Sequence, residues 1–240
     1  KEGEVALAFD ILLGDALFSF ALELATEFPT TTICKLVSKA TRLTCSGEIM
    51  QTFSRGNIDI PLTEYFSFIQ DKTGELFKAS CQAGAFLAGH TEHVIDLVGS
   101  FGLSLGLNYQ IFDDLIDSFG ESKIAGKCLG TDLDTGKVTL PLILLLQKLT
   151  PEQTLDIKKI FCTSPLTNSS REHILSLMLE FGIPRECNDF LFQKLNQTKQ
   201  IALNLPDDEM SSNLLNFLAT FDEKLTFLSR DSSPNFLALD

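Results

Sequence analysis

Residues 109–137 read YQIFDDLIDSFGESKIAGKCLGTDLDTGK, an acid cluster of Asp113, Asp114 and Asp117 followed by the glycine-flanked lysines Lys127 and Lys137. A helix advances about 100° per residue, so Asp113 and Asp117 project from one face a turn apart, with Asp114 beside them. The spacing predicts that all three carboxylates converge on one cation. Like charges at i,i+4 cost roughly 0.2–0.5 kcal/mol even in water, and here they are interleaved with Ile111, Phe112, Leu115 and Ile116. A hard divalent ion would offset that repulsion, and Mg²⁺ commonly sits between one or two carboxylates and substrate phosphates. An acid run is more often a solvated helix face, but the lysines downstream shift the balance. Gly126, Gly130 and Gly136 let the backbone approach a polyanion, with Lys127 and Lys137 as point charges. The glycine and lysine order is not that of a nucleotide P-loop, and no dinucleotide-binding glycine pattern follows a predicted strand.

On either side of this stretch apolar residues recur at helical spacing, as in Val5, Phe9, Leu12, Leu13, Ala16, Leu17 and Phe20. Alternating strand-like runs bounded by turns are scarce. The pattern predicts an all-α chain with helices near 3–27, 31–53, 62–71, 73–89, 92–119, 138–148, 151–161, 169–181, 185–204 and 211–228. Thr150 before Pro151 has the form of an N-cap with Pro at N1, and Ser211 or Ser212 is the expected cap of the last long helix. The segment Val94–Leu107 is apolar around much of its circumference, which predicts a central helix, with Gly99, Gly102 and Gly106 allowing close contacts.

With 240 residues, 44% of them hydrophobic, and no Gly/Ser-rich or Pro-rich linker, the chain is expected to form one large domain over 1–240. A net charge of −13 disfavours nucleic acid and anionic lipid surfaces, so a polyanionic substrate would enter through metal ions and local lysines. Six cysteines without CxxC pairs point to a reducing compartment, and His90 and His93 lack a third ligand. The longest apolar run, Leu140–Leu146, is interrupted by Pro141 near its start and is too short to cross a bilayer, so no membrane span is expected.

The acid cluster and lysine loop together resemble those of the trans-isoprenyl diphosphate synthases, head-to-tail prenyltransferases with an all-α isoprenoid-synthase fold. YQIFDDLID resembles that family's second aspartate-rich motif, and GKCLGTDLDTGKVTLP its lysine-bearing loop and the helix start after it. LLGDALFSFALELA at 12–25, GEIMQ at 47–51 and DKTGELFKASCQAGAFLAG at 71–89 stand in the family's order, whereas the final third matches loosely.

The resemblance implies that an allylic diphosphate ionises with Mg²⁺ as cofactor and that isopentenyl diphosphate attacks the carbocation. It makes Asp113, Asp114 and Asp117 metal ligands, directly or through water. Lys72, Lys127, Lys137 and Gln51 would bind diphosphate, Lys72, Thr73 and Gln110 would serve catalysis, and Glu48 and Asp15 would face the cavity. It also implies a homodimer, and the reducing compartment read from the cysteines is taken as the cytoplasm. The family's first aspartate-rich motif, expected upstream of LLGDAL, does not occur in these 240 residues. The intact acids and lysines favour a longer parent chain that carries it, and the alternative is a noncatalytic partner subunit of a heteromeric synthase.

Overall fold

The computed structural model describes residues 2–120, 130–161, 166–206 and 208–231. Lys127 lies outside them, as do Gly126 and Cys128. The described residues are helical with no strand: α1 (Glu2–Thr26), α2 (Thr32–Phe53), α3 (Leu62–Ile69), a π-helical turn (Gln70–Gly74), α4 (Glu75–Leu87), α5 (Glu92–Phe119), α6 (Thr131–Asp134), α7 (Leu140–Lys148), α8 (Pro151–Phe161), α9 (Asn168–Glu180), α10 (Ile183–Leu203) and α11 (Asp208–Asp231).

The central helix is α5, as its all-round apolarity predicted. Phe101, Leu105, Ile111 and Leu115 are buried in one continuous core with Tyr65 and Ile69 of α3, Leu142 and Leu145 of α7, and Leu191 of α10. Its glycines set how near α4 comes: a Cβ on Gly102 would stand 2.6 Å from the Phe77 carbonyl oxygen, and one on Gly106 would stand 2.8 Å from Gly74 Cα. On its other side α5 meets α10 through a polar seam, where Ser104 and Asn108 both hydrogen-bond the buried Thr198 hydroxyl, at 2.6 and 2.7 Å.

Several boundaries differ from the sequence expectation. The break expected between 71 and 73 is a continuous helix that passes through the π turn. The short helix α6 was unforeseen because Thr131–Asp134 is too brief to show a periodicity. The last helix starts at Asp208 rather than at a serine cap, and the Ser211 hydroxyl instead donates to the Ala202 carbonyl at 2.8 Å, tying α11 to the end of α10. The Thr150 cap is present in full: Gln153 N–H donates to Thr150 Oγ1 and Thr150 N–H to Gln153 Oε1.

By length and composition, α1 exceeds what the longest apolar run suggested. Val5–Thr26 is long and apolar enough to cross a bilayer, and its most apolar stretch has a mean hydropathy of 2.0 with no residue buried. Counting uninterrupted runs missed it because Asp10 and Asp15 divide the stretch, whereas the average over a window does not see them as breaks. Val5, Leu7, Ile11, Leu12, Leu17 and Phe20 are all more than half exposed, so an apolar surface encircles the helix.

Candidate diphosphate and metal site

The site is built where three helices meet. The π turn inserts one residue per turn relative to an α-helix, and it brings Lys72 and Thr73 inward together from consecutive positions. Gly47 of α2 makes this possible, since a Cβ there would stand 2.5 Å from the Lys72 backbone nitrogen. With α2 so near, Lys72 Nζ donates to Gln51 Oε1 at 3.0 Å and pairs with Glu48 Oε2 at 3.0 Å. GEIMQ thus supplies a glycine for the approach and two polar side chains, one turn apart, to receive the ammonium.

Thr73 turns to α5. Its hydroxyl donates to Gln110 Oε1 at 2.7 Å, Gln110 Nε2 donates to Asp114 Oδ1 at 2.9 Å, and Tyr65 OH donates to Asp114 Oδ2 at 2.7 Å. This row fixes Gln110 in one amide orientation. Asp114 is fully buried, and its pKa is pushed up to about 7 by burial and by the charge of Asp132, against the hydrogen bonds from Gln110 and Tyr65. Burial, and next the Asp114 charge, hold the Tyr65 phenol well above its ordinary value, so it remains a donor.

Asp117 has different partners. Its Oδ1 accepts from Thr131 N–H at 3.3 Å and Thr131 Oγ1 at 2.9 Å, its Oδ2 accepts from Asp132 N–H at 3.0 Å, and its carbonyl accepts from Gly130 N–H at 2.8 Å. Gly130 has φ of +76°, a left-handed conformation that glycine adopts without a Cβ penalty. The Asp117 carboxylate therefore holds the first turn of α6 to the end of α5.

The expected convergence of three carboxylates does not occur: among the described residues no group of three or more His, Cys, Asp or Glu side chains is placed to hold a metal ion. The reason is tertiary. Asp114 faces α3 and Asp117 faces α6, while the half-buried Asp113 adds its charge to the field that raises Asp114.

Sequence reasoning overlooked Asp132. This carboxylate pairs with Lys137 Nζ at 3.2 Å, and Lys137 N–H also donates to the Asp132 carbonyl at 2.8 Å. Its pKa is raised by burial and by the Asp117 charge, while Lys137 and Lys72 pull it down. Asp132 therefore lies in the field of two of the lysines assigned to diphosphate. The signal was present in TDLDTGK, where the acid five residues before Lys137 was read only as part of a loop.

The donor set suits a hard cation. Carboxylates and amide oxygens line it, with no thiolate or imidazole in the row from Tyr65 to Lys72. Because the acids do not close into a cage, the protein would supply one or two ligands and leave the rest to water and phosphate, which is the usual manner for Mg²⁺.

The all-helical arrangement of the described residues around α5 is that of the isoprenoid-synthase fold. The polyprenyl synthetase family model matches residues 4–178, so the chain belongs to the polyprenyl synthetase family. It is 31% identical over 173 residues to octaprenyl diphosphate synthase of Escherichia coli, covering 72% of this chain and 52% of that one. It is 37% identical over 135 residues to heptaprenyl diphosphate synthase component 2 of Geobacillus stearothermophilus, covering 56% and 42%. The fold superposes with a TM-score of 0.80 and 28% identity on a polyprenyl synthase from Caulobacter crescentus solved with calcium and isoprenyl diphosphate, over 86% of this chain and 63% of that one. The chain spans about half the length of the curated relatives it matches.

Proposed function

We propose that these residues form the allylic-diphosphate half of a trans-prenyl diphosphate synthase, which condenses isopentenyl diphosphate with an allylic diphosphate to give a longer polyprenyl diphosphate. The observation that carries the reading is the π turn that presents Lys72 beside Gln51 and Thr73 beside Gln110. Lys72, Lys127 and Lys137 hold the diphosphate as point charges, and Gln51 keeps Lys72 aimed. Thr73 and Gln110 line the path of the developing allylic cation with fixed dipoles, whose worth is greatest where charge appears only in the transition state. Asp113 is the direct metal ligand. Asp114 and Asp117 act from behind it, Asp114 by orienting Gln110 and Asp117 by docking the lysine turn. Mg²⁺, when bound, neutralises the departing pyrophosphate.

The chain spans about half the length of the curated relatives it matches, so the activity is proposed for the longest natural chain that contains these residues. A homodimer in a reducing, cytoplasmic compartment suits the exposed apolar α1 and the unpaired described cysteines. Incubating that chain with labelled isopentenyl diphosphate, an allylic primer and Mg²⁺ tests the reading; chain elongation is expected, and none at any primer length overturns it.

A second reading, a partner subunit of a heteromeric synthase, draws on the likeness to a protein named as component 2 of its synthase. It predicts elongation only when a second, different subunit is added.

A further inference from the structure

We infer that Arg171 is a positioning residue for the lysine turn, acting on α6 from α9. The inference rests on the proposed diphosphate site. Arg171 sits near the start of α9, whose first turn is set by the Thr167 hydroxyl accepting from Ser170 N–H at 3.1 Å. From there its Nε donates to Asp134 Oδ1 at 3.1 Å and one terminal nitrogen donates to both Asp134 oxygens, a forked grip on the last residue of α6. The aliphatic end of the same side chain lies over Gly130, 3.5 Å from where a Cβ would be. One arginine thus grips the last residue of α6 and lies beside the glycine at its start.

The short helix needs such a grip. One turn of helix has too few internal hydrogen bonds to be stable alone, yet α6 carries Asp132 and leads directly into Lys137. Asp117 fixes its start. Gly56 N–H donates to the Gly136 carbonyl at 2.7 Å and fixes the chain just before Lys137. Between those anchors, Arg171 pairs with the Asp134 carboxylate and closes the turn against α9. Two carboxylate anchors at different residues of α6, Asp117 acting on backbone amides and Asp134 held by a guanidinium, would keep Lys137 and Asp132 at a constant distance from α5. A planar fork does this and an ammonium does not, because the forked pair fixes orientation as well as distance.

Three variants test the inference: Arg171→Ala, Arg171→Lys and the exchanged pair Arg171→Asp with Asp134→Arg. Amide hydrogen exchange in residues 130–137 is read first, and affinity for Mg²⁺ with inorganic pyrophosphate second. Arg171→Ala is expected to speed exchange of the Thr131, Asp132 and Lys137 amides about fivefold, the size of a partly exposed charge-assisted pair. Pyrophosphate should bind about fivefold more weakly, with the thermal midpoint of the whole protein nearly unchanged. Arg171→Lys should recover little of either loss and the exchanged pair most of both. Unchanged exchange in 130–137 for Arg171→Ala, or full recovery by lysine, overturns the clamp. If the unaltered protein binds no Mg²⁺ and pyrophosphate, the diphosphate site itself is wrong, and the exchange arm still decides whether Arg171 orders the turn.

Discussion

Tyr65 and Asp114, 49 residues apart in sequence, meet in the core through a 2.7 Å hydrogen bond from the phenol to Oδ2 of the carboxylate. Both are buried, so neither has water as a substitute partner. Replacing Tyr65 with Phe leaves that oxygen unpaired, which costs about 1–3 kcal/mol. Urea unfolding should show that loss. A variant as stable as the parent would mean that Asp114 finds another donor.

The Asp114 pKa of about 7 sets a pH dependence whose sign is opposite to that of an ordinary ion-paired acid. Its folded value lies above the unfolded one, so the folded state binds more protons between the two, and this carboxyl's contribution to stability falls as pH rises from about 4 to about 7. The difference in unfolding free energy between the parent and Asp114→Asn isolates it. That difference should shift against the parent across this window and level off above it. A flat difference would show Asp114 to be ionised throughout.

Asp113 and Asp117, one turn apart on α5, should separate cleanly when replaced. Asp117→Ala removes the acceptor of two backbone amides and a hydroxyl, with an expected loss of about 2 kcal/mol and faster exchange in α6. Asp113→Ala should abolish Mg²⁺-dependent pyrophosphate binding. Equal effects on both measurements would remove the distinction between ligand and anchor.

Lys72→Ala should weaken pyrophosphate binding by roughly tenfold, the value of one charge-assisted contact, because Gln51 and Glu48 aim this ammonium and nothing else at the π turn carries positive charge. Isothermal titration would measure it. Affinity unchanged from the parent would exclude Lys72 from the site.

Gly102→Ala puts a methyl group 2.6 Å from the Phe77 carbonyl and should cost about 1–3 kcal/mol. Gly84→Ala meets nothing within 4 Å and should instead stabilise α4 by about 0.5–1 kcal/mol. Opposite signs in one denaturation series would confirm that the close approach of α4 to α5 depends on the missing side chain at Gly102.

The helical class, the central place of α5 and the family were legible in the chain because they depend on periodicity and on short motifs with fixed local geometry. Apolar residues all round Val94–Leu107 pointed to a helix covered on every side, and its three glycines allowed a close neighbour. The family resemblance grouped Lys72, Gln51, Thr73 and Gln110 in one expected site, but neither their hydrogen bonds nor the π turn behind them was foreseen, since a single extra residue in a helical turn leaves no trace in hydrophobic spacing. The length of α1 was hidden by two acids, and α6 by its brevity.

By itself the sequence determined that three aspartates share one region of a helix with lysines close behind. Only the tertiary structure decided what each does. Helical spacing fixes the angle at which a side chain leaves the axis, but not what it meets there. Tyr65 and Gln110 draw Asp114 into the core, the amides of α6 engage Asp117, and Asp132 enters the field of Lys72 and Lys137 from a short helix of its own. Those assignments depend on contacts between residues far apart in the chain, whose energies exist only once the helices have packed.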